Sequence, residues 1–299
     1  MRILLPAISY SYLTGSELYV YELARELIRR GHDVTVAAMR VGGALEGPSK
    51  AAGIRAYQFG DVRVCGGQFD MIHASEPGPT QWALSTHPDD PIICSIHSQY
   101  ECEQPVIDGR IRHYICIRPE VQKKVVEVDH IPAVNTSVIY NPVDLQRFYP
   151  STEYARNGNR KRILFCGTMD VLRRHTIFDL IGRAPQEGFE LWLLGLKADN
   201  CAGYLEHLPA GVKWFNQDWN TEQYINQCDE TAGILLGRTT IEGWACRKPG
   251  WIYDIDLQGG IKSRALHPPP ADMGLFDSVN VVNQIEELYR RYGRRQGFR

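Results

Sequence analysis

The 299-residue chain reads as an α/β protein made of two parallel-sheet domains in tandem. Three observations carry that expectation. Short apolar runs alternate with amphipathic segments and Gly turns, and parallel strands need such helical crossovers. The alternation stops at the Asn141-Pro142-Val143-Asp144 turn and polar Ser151–Arg162, then restarts. The length suits two domains, and 43% hydrophobic with 23% charged residues supplies two cores. The expected division is 1–150 and 151–299.

The elements follow in order. Arg2–Leu5 reads as a buried strand, followed by a loop carrying Thr14-Gly15-Ser16. Val20, Leu23, Ala24, Leu27 and Ile28 fall on one helical face, with Ser16 as N-cap and Gly31 as the stop after Arg29-Arg30. Val34–Ala38 completes a first βαβ unit. Further strands are expected at Met71–His73, Pro91–Ile96, His113–Ile117 and Val138–Tyr140, with a helix at Pro119–Val128. In the second half, strands are expected at Arg162–Cys166, Glu190–Leu194, Val212–Phe215, Gly233–Leu236 and Trp251–Ile255. Helices are expected near Arg174–Arg183, Thr221–Gln227 and Val279–Arg291. Two such domains would meet at their strand C-terminal edges, where open α/β sheets bind ligands.

The net charge of −2 gives no global sign of a nucleic-acid binder. Arg290, Arg291, Arg294, Arg295 and Arg299 crowd the C-terminus. They read as a solvated, frayed tail, with a weak peripheral membrane or polyanion contact as the alternative. The eight cysteines form no Cys-x-x-Cys pair and no zinc spacing, and several sit in strand-like runs. That usage fits a reducing, cytoplasmic setting. Met1–Pro6 is too short and too soon interrupted for a signal peptide, and no run approaches a membrane span.

The most informative segment is Thr239-Thr240-Ile241-Glu242-Gly243-Trp244-Ala245-Cys246-Arg247-Lys248-Pro249-Gly250. It reads as a short helix closed by a Lys-Pro-Gly breaker before a strand. A helix N-terminus presents amides and a positive dipole end to a phosphate. A carboxylate further in accepts hydrogen bonds from sugar hydroxyls. Glu242 can therefore hold a ribose while Gly237, Arg238, Thr239 and Thr240 cradle phosphates. The plain alternative is a strand–helix–strand unit with a solvated Glu242 and threonine N-caps.

With these segments in order, the chain resembles the family 4 glycosyltransferases, retaining enzymes of the GT-B fold with two Rossmann-like domains facing across a cleft. Gly15-Ser16-Glu17, Tyr21–Leu27 and Arg30–Val34 look like the first loop and helix. Ser95-Ile96-His97 looks like the strand ending in His. Asn141–Pro150 looks like the interdomain signature, with Pro142 where Gly is usual. Gly167-Thr168-Met169 resembles the Gly-Arg-Leu turn, and Thr239–Gly250 the Glu-Ala-Met-Ala-Cys-Gly-Lys-Pro segment. The departures are Ile234 at a position usually Glu, Thr168 at a position usually Arg, and Arg247 at a position usually Gly.

The resemblance implies roles. His97 would lie beside the transferred sugar, and Gly15 would let backbone approach a phosphate or the acceptor. Arg173 or Arg174 lies near the family Lys position, and Arg173 would clamp the diphosphate together with Gly167 and Thr168. Arg238 would be a second cation and Glu242 the ribose acceptor. Trp219 sits near the base or in a core, and Gly259-Gly260 approach the donor or simply turn. His73 and His113 read as structural. The implied reaction is metal-independent, retaining transfer from a nucleoside diphosphate sugar, a UDP-sugar being favoured, with no further cofactor. The acceptor is unidentified: a glycan, lipid-linked saccharide, protein, small molecule or nucleobase. A catalytically silent nucleotide-sugar-binding protein and a sugar-nucleotide epimerase are the alternatives. The resemblance also implies that the final helix returns to the first domain.

Overall fold

The computed structural model describes residues 1–100, 104–154, 158–198, 203 and 205–294. The chain forms two units, one of Met1–Tyr12, Ser16–Pro142 and the segment from Leu275 onward, the other of Leu13–Gly15 and Val143–Gly274. This differs from the expected split at residue 150. Val143 and Phe148 are buried and Arg147 pairs with Glu222, which ties that segment to the second unit. The C-terminal helix places its apolar stripe in the first.

In the first unit, β1 (Arg2–Tyr10), β2 (Asp33–Val41), β3 (Arg55–Gln58), β4 (Met71–Ser75), β5 (Ile92–Ile96), β6 (Ile111–Cys116) and β7 (Thr136–Val138) form one sheet. Its order is β3-β2-β1-β4-β5-β6-β7, and every neighbouring pair is parallel. β1 runs past Pro6, where the sequence reading stopped, because its ladder with β2 continues through Ser9–Arg40 and Tyr10–Val41. α1 (Gly15–Arg29) buries Val20, Leu23, Ala24 and Leu27 as its spacing requires. Ser16 is not its N-cap, since the helix begins one residue earlier. Glu17 instead accepts the Ser11 and Tyr12 amides at 3.1 and 3.2 Å, folding the preceding loop onto the first turn. Gly31 takes a positive φ of 86° and ends the helix as expected.

α2 (Glu46–Ala51), β3 and α3 (Val62–Cys65) had no visible signal, being short and, in β3, largely solvent-facing. α4 (Pro77–Thr86) and α5 (Pro119–Glu127) complete the crossovers. α9 (Ser278–Tyr292) then covers this unit with Val281, Val282, Ile285 and Tyr289 fully buried. Its Glu286 binds Arg30 at 2.6 Å and His32 at 2.7 Å. Arg294 just beyond it holds Asp90 at 2.5 Å, so that arginine is tethered and not frayed. Arg295, Arg299, Cys102 and Cys201 lie outside the described residues.

In the second unit, β8 (Arg162–Cys166), β9 (Glu190–Leu194), β10 (Val212–Phe215), β11 (Glu230–Ile234), β12 (Gly250–Ile255) and β13 (Ile261–His267) form a sheet of order β10-β9-β8-β11-β12-β13. α6 (Arg174–Glu187), α7 (Thr221–Asn226) and α8 (Arg238–Ala245) are its helices. β11 starts earlier than expected because its first residue is charged. Glu230 is nonetheless buried, bound by Lys161 and the Trp251 indole at 2.7 Å each. This sheet is not wholly parallel: β13 returns antiparallel to β12. All seven residues of β13 face solvent, so no buried run announced it. Both sheets reverse direction of winding beside their first strand, and ligands bind open α/β sheets at that switch point.

Candidate active site

In the second unit, the loops leaving β8, β9, β11 and β12 meet at one sheet edge. The β11–α8 turn is sharp. Leu235 adopts a left-handed φ of 52°, its N–H donates to the Tyr253 carbonyl at 2.8 Å, and the Gly237 N–H donates to the Leu235 carbonyl at 2.9 Å. Gly237 then precedes α8 without a capping side chain. First-turn amides have no intrahelical acceptor, and no side chain of Gly237 caps them.

The threonine hydroxyls do not serve as expected. Thr239 Oγ1 donates to the Cys166 carbonyl at 2.9 Å, tying α8 to the end of β8. Thr240 is fully buried, its hydroxyl facing the sheet beside Gly233. A Cβ on Gly250 would come within 2.8 Å of Thr240 Cγ2, which is why β12 begins with glycine. Both hydroxyls are thereby turned toward strands of the second unit.

Glu242 is neither solvated nor in the first turn. It is 4% exposed, and Arg238 Nε donates to its Oε1 at 2.6 Å. The pair is an i,i+4 match one turn apart on α8, with both side chains buried. The expected second cation and the expected ribose acceptor are thus held against each other. Ile234 ends β11 half-buried, where a family carboxylate would have stood.

The β8 loop is shaped by glycine contacts. Gly167 donates to the Leu194 carbonyl at 2.9 Å. A Cβ on Gly195 would fall 1.9 Å from the Gly167 carbonyl oxygen, so the β8 and β9 loops cross in direct backbone contact. Arg173 lies across this turn, its Nε 3.5 Å from where Gly167 would carry a Cβ, and pairs with Asp170. Thr168 is half-buried and brings no charge. Gly259, at φ 82°, sits where a Cβ would be 2.3 Å from the Leu172 carbonyl. Gly259-Gly260 therefore serve a turn, capped by Asp256, that lets β12 approach the β8 loop.

Trp219, beyond β10, is half-buried. The Arg147 guanidinium stacks on it at 4.3 Å from the ring centroid and donates to its carbonyl. One face of that indole is thus covered by the segment after the interdomain turn.

In the first unit, His97 follows β5, half-buried and edge-on to Tyr19 at 4.6 Å between centroids. His73 is buried, and burial, reinforced by the nearby His97, pushes its pKa down to about 3. His113 hydrogen-bonds Ser137 at 3.0 Å and stacks on Tyr292 at 5.3 Å. Both have protein partners, as structural histidines do. Gly15 clusters with the second unit, and an added Cβ there meets nothing within 4 Å. Among the described residues, no group of three His, Cys, Asp or Glu is placed to hold a metal. No helix of the described residues is long and apolar enough to cross a membrane.

Several residues of this edge escaped the sequence reading. Asp170 had a visible i,i+3 match with Arg173. Leu235 and Gly195 had none, because a backbone twist or close approach has no side-chain signature.

Residues 13–147 match the model of Glycosyltransferase Family 4. No curated protein matches the chain in sequence. The chain is similar in structure to Anabaena Alr3699/HepE in complex with UDP and glucose, with a TM-score of 0.66 and 18% identity over 98% of this chain and 91% of that one. It is similar also to a glycosyltransferase from Rickettsia africae ESF-5, with a TM-score of 0.68 and 14% identity over 97% and 98% of the two chains. AviGT4, a glycosyltransferase involved in avilamycin A biosynthesis, gives a TM-score of 0.64 at 14% identity over 98% of each chain. Over residues 13–147 the resemblance to the family 4 glycosyltransferases is shown, and the structural likenesses show the GT-B fold with its two Rossmann-like domains.

Proposed function

We propose that this GT-B glycosyltransferase moves a sugar from a nucleoside diphosphate sugar to a hydroxyl-bearing or nucleobase acceptor, with retention and without a metal. The observation that carries the reading is the uncapped α8 N-terminus at the C-terminal edge of the second sheet, beside the Gly167–Arg173 turn. The structural relative that binds UDP and glucose supports UDP as the nucleotide. The first-turn amides of α8, beginning at Arg238, and the Arg173 guanidinium supply positive potential where charge develops on the departing diphosphate. That set needs no divalent ion. Same-face attack needs no carboxylate nucleophile either, so no double-displacement pair is assigned.

Arg238 and Glu242 have a joint part in this reading. A ribose diol arriving at Glu242 donates to its carboxylate, and Arg238 keeps that charge compensated. His97 is assigned to the sugar side by the family resemblance. Thermal-shift measurements against a panel of nucleotide sugars test the reading. A donor present at a hundred times its dissociation constant stabilises by about 2.7 kcal/mol. A selective shift with UDP-sugars followed by sugar release supports it. No shift with any nucleotide removes it.

The buried Arg238–Glu242 pair and Ile234 favour one second reading, a protein that binds the nucleotide sugar without turnover. Binding without release of UDP identifies that case. Six described cysteines are free thiols, in keeping with a reducing cytoplasmic setting. Of the described arginines at the C-terminal end, Arg290 and Arg291 would serve any contact with a membrane surface or polyanion, since Arg294 is committed to Asp90.

A further inference from the structure

Four buried side chains form a continuous hydrogen-bond chain through the first unit. Tyr289 of α9 meets His73 Nδ1 at 2.7 Å, and His73 Nε2 meets Ser95 Oγ at 2.6 Å. Ser95 Oγ in turn meets the Tyr19 hydroxyl at 2.9 Å. None of the four is more than 2% exposed. The last member, Tyr19, is the residue whose ring stands edge-on to His97, with 84° between the planes. The chain crosses four elements: α9, β4, β5 and α1.

We propose that Tyr289 on the returning helix α9, acting through His73, Ser95 and Tyr19, is a positioning residue that fixes the ring of His97. The proposal rests on the reading of His97 as the histidine beside the transferred sugar. Three physical points carry it. A neutral imidazole offers one donor and one acceptor, and here each ring nitrogen has a hydroxyl partner, so His73 is locked in orientation whichever tautomer it adopts. Its burial keeps it neutral, which maintains the chain across ordinary pH. Buried hydrogen-bonded chains act as units, so loss of one link is felt along the rest.

The returning helix thereby gains a role besides covering apolar surface. Glu286, one turn before Tyr289, is clasped by Arg30 and His32, and Arg294 beyond it by Asp90. These contacts set the height of α9 on the first unit, and Tyr289 passes that setting to the sheet edge where His97 sits. A residue near the C-terminus thus tunes a histidine of the same unit almost two hundred residues earlier in the chain.

Tyr289→Phe and Tyr19→Phe, singly and together in the full chain, test the proposal, since each removes one hydroxyl and keeps its ring. The deciding reading needs no substrate: the His97 Cε1–H signal in proton–carbon spectra. It should move or broaden in both single variants. A His97 signal unmoved in folded variants overturns the proposal. With UDP-glucose as the donor probe, each single variant should lower kcat by about five-fold, the worth of one net hydrogen bond, with KM unchanged. The double variant should lose no more than the larger single, because both changes break one chain; independent residues would multiply to roughly twenty-five-fold. Multiplying effects, or unchanged kcat while His97→Ala abolishes turnover, overturn the proposal and leave the role of His97 standing. If His97→Ala itself leaves turnover unchanged, the assigned role of His97 falls, and the ring signal alone decides the positioning claim.

Discussion

Glu242 carries two burdens that pull against each other in any substitution. Its carboxylate is the assigned ribose acceptor, and it also neutralises a buried guanidinium at 2.6 Å. Removing one partner of a buried pair strands the other, at a cost of about 3–5 kcal/mol. Glu242→Gln should therefore lower stability by roughly 3 kcal/mol as well as weaken UDP about ten-fold. Urea unfolding beside calorimetric titration checks both, and unchanged stability would show that the pair contributes nothing to the fold. The motif containing Glu242 was legible in the sequence, but its partner was not. The i,i+4 match with Arg238 has meaning only once α8 is known to begin at residue 238.

His97→Ala should depress turnover and leave nucleotide affinity nearly unchanged, because the ring belongs to the unit without the α8 motif. Equal loss of both in steady-state and titration measurements would assign His97 a structural role. The neighbouring buried histidines make a separate prediction about pH. Burial holds His73 down to about 3, and burial with Arg291 nearby holds His113 down to about 4. Unfolded histidines titrate near 6.5, so below about 6.5 the unfolded chain binds the extra protons. Stability of the first unit should fall as pH drops from there, by up to about 1.4 kcal/mol per pH unit for each group. Urea midpoints between pH 7.5 and 5 measure the slope. His113→Asn should reduce it, and an unchanged slope would contradict the assignment.

Among the elements, helix ends were read better than strand edges. Gly31 announced the end of α1 because only glycine takes φ 86° without strain. Arg247 occupies the equivalent place after α8 at φ 59°, with its N–H on the Trp244 carbonyl at 2.9 Å and the Lys248 N–H on the Gly243 carbonyl at 2.8 Å. This is a glycine position filled by arginine, and the family resemblance had marked the mismatch without giving its geometry. A left-handed L-residue costs about 1–2 kcal/mol, partly offset in glycine by unfolded-state entropy of about 0.5–1 kcal/mol. Arg247→Gly should raise the unfolding midpoint of the second unit by a few degrees with UDP binding intact. A lowered midpoint in calorimetry would show that the arginine side chain outweighs its backbone strain. β13 and β3 were invisible for the opposite reason. The side chains of β13 all face solvent and those of β3 are at most half-buried, so no buried run existed to be read.

At the scale of the molecule, the two sheets were legible because buried parallel strands write continuous apolar runs. The return of α9 was not legible from periodicity, which shows an amphipathic face but not which sheet it covers. That placement came only from the family resemblance. The proposed function stands or falls with the second unit, where a nucleoside diphosphate is expected at the α8 N-terminus beside the Gly167–Arg173 turn. Backbone amide spectra of the full chain, recorded through a titration with UDP, test it most directly. The account predicts saturable shifts concentrated at Gly167, Arg173 and residues 237–240. Shifts absent throughout, or confined to the sheet of the first unit, would contradict it.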